Sequence, residues 1–222
     1  MTKPLREAIK IISTKLQHSK VIVEVGSKQE EGQLDIADFR SFFPNSKYVG
    51  LDMRPGVGVD IVTNAKNLPF KDSSVDLVLC LETFEHADKP WLLAEEIQRV
   101  VKKTGVVIIS SQQNFPIHKH PSDYFRYTPY GLLVLFEKLK SKLVFTISPP
   151  FDDEVRLNPQ AVILIGTKNY DEKLIKEIKK SLIGGKRAIS VHKPYRHRVL
   201  EACRFLRRAV NELRFRQEIE FF

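Results

Sequence analysis

The 222 residues carry 42% hydrophobic and 28% charged side chains with 10 glycines and 12 prolines, a globular composition that excludes collagen-like, mucin-like and low-complexity chains. Lys and Arg outnumber Asp and Glu 36 to 27, and the excess sits in the last quarter: residues 168–222 hold 15 basic and 7 acidic side chains, so the preceding body is nearly neutral. The length suits one α/β domain with an appendage, and the longest apolar runs are strand-sized, far below the ~20 residues of a membrane-spanning helix.

In chain order, Leu5, Ile9, Ile12 and Leu16 recur at helical spacing, with Pro4 near the first turn. Val21–Val25 reads as a strand buried on both faces and ended by Gly26. Leu34–Phe43 is a short helix closed by Pro44. Lys47–Leu51 is a second strand running to Asp52, and Val57–Val62 holds a third. Val75–Leu81 is a fourth strand. Pro90–Lys102 is a helix with Leu93, Ile97, Val100 and Val101 inward and Lys102-Lys103 at its C-terminal end, where cations suit the dipole. Gly105 opens a fifth strand, Val106–Ser110.

A loop containing Pro and His follows (114–129), then a helix over Pro129–Lys140 with Thr128 as its N-cap. Two apolar stretches, Leu143–Ile147 and Ala161–Thr167, read as an antiparallel pair at one sheet edge. The alternation predicts a doubly wound, Rossmann-like α/β sheet of seven strands, mostly parallel. The domain is expected to span 1–168, with a basic helical extension over 169–222.

The amino terminus, Met1-Thr2-Lys3-Pro4-Leu5-Arg6-Glu7, lacks the unbroken apolar core of a signal peptide, so a cytoplasmic location is expected. The two cysteines, Cys80 and Cys203, imply no disulfide framework and have no metal-ligand spacing.

Ligands of open parallel sheets sit beyond the carboxyl ends of the strands. Those ends carry Glu24-Val25-Gly26-Ser27, Asp52-Met53, Asn64-Ala65, Leu81-Glu82 and Ser110–Asn114. A carboxylate after the second strand suits a ribose diol, because two acceptor oxygens match two adjacent hydroxyls. Alone, Asp52 reads equally as a turn residue or helix cap.

The series VIVEVGS (21–27), YVGLDMRPG (48–56), DIVTNAKNLPFKDSSVDLVLCLETFEH (60–86) and EIQRVVKKTGVVIIS (96–110) resembles, in order and spacing, the class I S-adenosylmethionine-dependent methyltransferases of the small-molecule type. The resemblance covers residues 20–145. The first loop and the later His-Pro-Ser-Asp-Tyr-Phe-Arg-Tyr-Thr-Pro segment resemble a subgroup found near genes for polysaccharides and cell-surface glycans.

The resemblance implies S-adenosylmethionine as cofactor. It puts Glu24 and Gly26 in the first loop beside the methionine and ribose portions, Asp52 on the ribose hydroxyls and Met53 on the adenine face. Asn64 reaches the adenine amino group with support from Ala65, while Leu81 and Glu82 lie under the methionyl part. Glu85-His86 is expected to anchor the following helix. This sequence departs from the family's Gly-x-Gly: Gly26-Ser27-Lys28 is followed next by Gly32, which brings Ser27 and Gln33 forward as contributors to a remodelled loop.

Methyl transfer to an oxygen needs alignment and, for an acceptor of high pKa, a nearby base. Residues 112–127 concentrate such groups. His118, His120 and Asp123 are read as catalytic candidates, and Tyr124 and Arg126 as substrate contacts, because loops above strand ends carry function. His118-x-His120 has no Cys or third His nearby in sequence, so a zinc site is not expected.

In the tail, Val199, Cys203, Leu206, Val210 and Leu213 form a short apolar seam among arginines. It suits docking on the domain itself or on a twin subunit, with a membrane-surface helix as the sharper alternative. The leading reading is a methyltransferase for a small-molecule or saccharide acceptor. The alternatives are an RNA methyltransferase gripping nucleic acid through the basic tail, and a non-catalytic interaction module.

Overall fold

The computed structural model describes residues 2–118, 121–147 and 160–185. The elements are α1 (Lys3–Ser13), β1 (Val21–Val25), α2 (Leu34–Ala37), β2 (Lys47–Asp52), β3 (Ile61–Val62), β4 (Val75–Leu81), α3 (Pro90–Val100), β5 (Val101–Gln112), α4 (Pro129–Leu135), β6 (Ser141–Ile147), β7 (Ala161–Thr167) and α5 (Glu172–Gly184). They form a seven-stranded sheet in the order β3-β2-β1-β4-β5-β7-β6. β1 through β5 pair in parallel, while β7 runs antiparallel to both β5 and β6. This is the expected doubly wound α/β fold with an antiparallel edge.

Period-two alternation divides the strand residues between two cores. Val23, Val25, Val78, Cys80, Val107 and Ile109 point to one face and pack with Leu93 and Ile97 of α3 and Leu132 of α4. Ile22, Leu77, Leu79, Val106 and Ile108 point to the other, against Leu5, Ile9 and Ile12 of α1 and Ile175 and Ile178 of α5. With both faces covered, β1 and β4 read as near-continuous apolar runs. Because α5 contributes to this second core, the domain does not stop at residue 168; the first helix of the expected extension is packed into it.

Several boundaries differ from expectation, each for a local reason. The helix expected over Leu34–Phe43 breaks after Ala37. Arg6 of α1 donates from Nη1 to the carbonyls of Ile36 and Asp38, and the Asp38 carboxylate caps Arg40 N at 3.0 Å, starting a separate 3-10 turn over Arg40–Phe42. The same chain of contacts continues inward. Arg40 Nη2 donates to Asp60 Oδ2 at 2.6 Å and to the Gly58 carbonyl at 3.0 Å, and Asp60 Oδ2 accepts from Gly50 N of β2 at 2.7 Å.

Residues 56–59 turn instead of extending, with Val59 N donating to Gly56 O, so β3 shrinks to Ile61–Val62. α3 ends at Val100, and Lys102 and Lys103 belong to β5, not to a helix end. Lys102 Nζ meets Asp76 Oδ1 at 2.7 Å across the β4–β5 pair. α4 is shorter than expected, but its start is as read: Thr128 Oγ1 accepts from Gly131 N at 3.1 Å, with Pro129 in the first turn.

No helix of the described residues is long and apolar enough to cross a membrane. His120 and the tail features (the seam from Val199 to Leu213, its arginines and Cys203) lie outside the described residues.

Candidate active site

The carboxyl ends of β1, β2, β4 and β5 open into one cavity of about 560 Å³, lined by Glu24, Gly26, Ser27, Asp52, Met53, Asn64, Ala65, Leu81 and Glu82. The volume falls in the range of small-molecule and cofactor sites. All nine residues expected at the cofactor therefore border the same space. His118 and Tyr124 line it too, whereas Asp123 and Arg126 are not among its lining residues.

Glu24 lies inside β1, one residue before its end, and not in the following loop. Its carboxylate accepts from Tyr48 Oη at 2.7 Å. Burial pushes its pKa up to about 7, partly offset by the Tyr48 hydrogen bond and by Arg40, with Asp38 and Asp52 reinforcing the rise. A carboxyl whose pKa is higher folded than unfolded binds protons more tightly when folded, so stability falls as pH rises from 4.5 through about 7. The contribution is on the order of 3 kcal/mol. Glu24→Gln is expected to remove this portion of the decline: the stability difference from the parent, read from urea unfolding, grows between about pH 4 and pH 8.

Gly26 takes φ +78°, and a Cβ there would sit 2.1 Å from Thr83 Oγ1. Position 26 is thus restricted by the turn after β4 as well as by any ligand, a constraint with no signal in the sequence. Gly26 N and Ser27 N both donate to the Leu51 carbonyl, at 2.8 and 2.9 Å. The loop then leans on residues 56–58, where Gln29 N donates to Val57 O at 2.9 Å. Gly58, at φ +87°, makes room for it, since a Cβ would fall 2.5 Å from the Ser27 carbonyl.

Asp52 ends β2. Its Oδ1 accepts from Arg54 N at 2.9 Å and its Oδ2 from Lys28 N at 3.3 Å, so the carboxylate is oriented with lone pairs to spare. Glu30 bridges Lys28 and Arg54 through Oε1, at 3.5 and 2.8 Å. Asn64 Oδ1 accepts from Lys66 N at 3.0 Å.

Glu82 sits at φ +52°, a strained position for a non-glycine residue. Its carboxylate accepts from Ser110 Oγ at 2.9 Å and from Gln112 Nε2. Burial, and then Glu85, push its pKa up. Glu85 is also raised, first by burial. Gln112, Thr83 and Phe115 also line the cavity; Thr83 is not singled out by the sequence because its place depends on the turn after β4.

The loop bearing Asp123 and Tyr124 is tied to the turn Phe84–His86. Tyr124 N donates to the Glu85 carbonyl at 2.7 Å, Tyr127 N to Gln112 O at 3.0 Å, and Tyr127 Oη to Phe84 O at 3.3 Å. Arg126 grips Asp123 through two hydrogen bonds of 2.5 and 2.7 Å, and Asp123 Oδ2 accepts from His118 N at 2.9 Å. The guanidinium, followed by His118, holds the Asp123 pKa down to about 2 against the cost of burial.

Buried polar atoms without a hydrogen-bond partner gather here among the described residues: Ser27 Oγ, Arg54 Nε, Glu85 Oε1 and Gln112 Oε1 all belong to cavity-lining residues. Buried polar groups are ordinarily satisfied, so the orphans mark places for ligand atoms or water. Acids at Glu24, Asp52 and Glu82, the orphaned Ser27 hydroxyl and the Asn64-Ala65 turn fit the polar portions of an adenosyl methionine.

Residues 25–109 match a family described as a methyltransferase domain. An uncharacterized methyltransferase of Mycobacterium tuberculosis (strain ATCC 25618 / H37Rv) is 42% identical over 57 residues, 26% of this chain and 22% of that relative, so the match spans about a fifth of the relative's length. Among solved structures, an S-adenosylmethionine-dependent methyltransferase from Archaeoglobus fulgidus is similar with TM-score 0.51 and 14% identity, covering 72% of this chain and 93% of that one. The Burkholderia thailandensis 1,6-didemethyltoxoflavin-N1-methyltransferase, solved with 1,6-didemethyltoxoflavin and S-adenosylhomocysteine, gives TM-score 0.54 and 13% identity, covering 76% of this chain and 79% of that one. Residues 25–109 thus match a methyltransferase-domain family, and the seven-stranded sheet has the fold of the solved methyltransferases it resembles.

Proposed function

We propose that the protein transfers a methyl group from S-adenosylmethionine to a small-molecule or saccharide acceptor. The observation that carries this reading is the single cavity joining the cofactor-side acids to the loop bearing His118 and Tyr124. When bound, the cofactor supplies a methyl group on a sulfonium, ready for in-line displacement.

The chain's part is placement. Asp52 would hold the ribose hydroxyls, Met53 and Ala65 the adenine, and Asn64 its edge. Glu24 and Glu82 would bound the methionyl end, and Gly26 and Ser27 would let the backbone approach. His118 meets the acceptor, while Asp123 and Arg126 set the orientation of its ring. Exposed Tyr124 and Phe115 give the rim aromatic faces, suiting an acceptor that has an apolar face and polar edges. The Burkholderia neighbour, which holds a small heterocycle beside S-adenosylhomocysteine, supports an acceptor of this size on this fold.

The test is incubation with S-adenosylmethionine and panels of sugars, nucleotide sugars and phenols, read by mass for an added methyl. His118→Ala is expected to lower kcat by about 10²-fold or more on the acceptor so found. Absence of S-adenosylhomocysteine binding by titration calorimetry would instead favour the non-catalytic interaction module.

A further inference from the structure

The lack of a third ligand near His118 in the sequence is made good in space. Glu85, His86 and His118 each present one ligand atom, all within 4.8 Å of one another. The His86 and His118 rings meet edge to face, with centroids 4.8 Å apart. We propose that these three side chains form a divalent transition-metal site, zinc or a metal of similar preference, on the acceptor-side wall of the cavity.

The outer contacts are those a metal-binding histidine uses. His86 Nδ1 lies 2.6 Å from the Ser122 carbonyl oxygen, which can only accept, so Nδ1 carries the proton and Nε2 the lone pair. His118 Nδ1 lies 3.0 Å from Asp123 Oδ2 and 3.3 Å from the Pro116 carbonyl, which selects the same tautomer. A carboxylate or carbonyl on the far nitrogen is the arrangement that orients imidazole toward a metal and raises its basicity. Asp123 is itself fixed by Arg126.

The third donor is independent evidence for a cation. Glu85 is fully buried, its Oε2 accepts from Ser111 Oγ at 2.6 Å, and its Oε1 has no hydrogen-bond partner among the described residues. A buried carboxylate oxygen left without a partner is costly, and a bound cation would satisfy it.

Two imidazoles and a carboxylate suit zinc, iron, cobalt or nickel better than calcium or magnesium. Tetrahedral zinc holds its ligand atoms ~3.4 Å apart, so the three side chains have a short distance to close. All three ligand residues line the cavity, leaving the remaining coordination position toward the acceptor. A hydroxyl bound there would lose its proton more readily.

Metal binding is tested without catalysis. The full-length protein, stripped with a chelator, is titrated with Zn²⁺ against a chromophoric competitor and with Co²⁺ followed by visible absorption. One equivalent with a strong, low-symmetry Co²⁺ spectrum is expected. His86→Ala and His118→Ala should each weaken Zn²⁺ binding more than Asp123→Asn does, and Asp123→Asn by about 10–100-fold. Retention of the free aqua Co²⁺ spectrum, or equal Zn²⁺ affinity in the parent and a folded His86→Ala/His118→Ala double variant, would overturn the site; if the variants fail to fold, the parent titration decides alone. S-adenosylhomocysteine titration of the same samples separates this proposal from the methyltransferase reading: cofactor binding without metal rejects only the metal site, and metal without cofactor rejects only the other.

Discussion

Asp52→Ala is expected to weaken S-adenosylhomocysteine binding by about 10²-fold, read by titration calorimetry. Hydrogen bonds to a charged acceptor contribute about 1.5–3 kcal/mol each, and a ribose diol would draw on two. The substitution also releases Lys28 N and Arg54 N, which the carboxylate now holds at 3.3 and 2.9 Å, so part of the loss comes from a looser first loop. Asp52→Asn keeps the shape but loses the charge and one acceptor, and should fall between, near tenfold. An affinity unchanged within about twofold in Asp52→Ala would remove this residue from the sugar site.

Gly26→Ala should cost about 3 kcal/mol or more of folding stability. Two costs combine: an alanine held at φ +78°, and a Cβ placed 2.1 Å from Thr83 Oγ1 and 2.6 Å from Thr83 Cγ2. Thr83→Ala removes the second cost alone. In the double variant stability should therefore recover by more than about 1 kcal/mol relative to the sum of the single changes, the residual being backbone strain. Urea unfolding of the four proteins measures the coupling. Strict additivity would show that the two residues do not meet.

The parallel strands were legible because each is a short, nearly unbroken apolar run, and β1 and β4 start and stop where the residues say. Asp52, Asn64 and Glu82 could be placed because a strand end in such a sheet is a fixed location relative to its ligand. What stayed hidden depends on side chains from distant segments. Arg6 taking carbonyls at 36 and 38 broke a helix that local periodicity favoured. Lys102 joined a strand because Asp76 faces it, although the same lysine suits a helix terminus equally well. Gly26 is restricted by Thr83, nearly sixty residues away. His86 reads as a structural residue until the acceptor loop folds back and sets His118 beside it.

The contacts running from Arg6 through Asp38, Arg40 and Asp60 to Gly50 end two residues short of Asp52. The amino-terminal helix is thereby mechanically connected to the strand whose end carries Asp52.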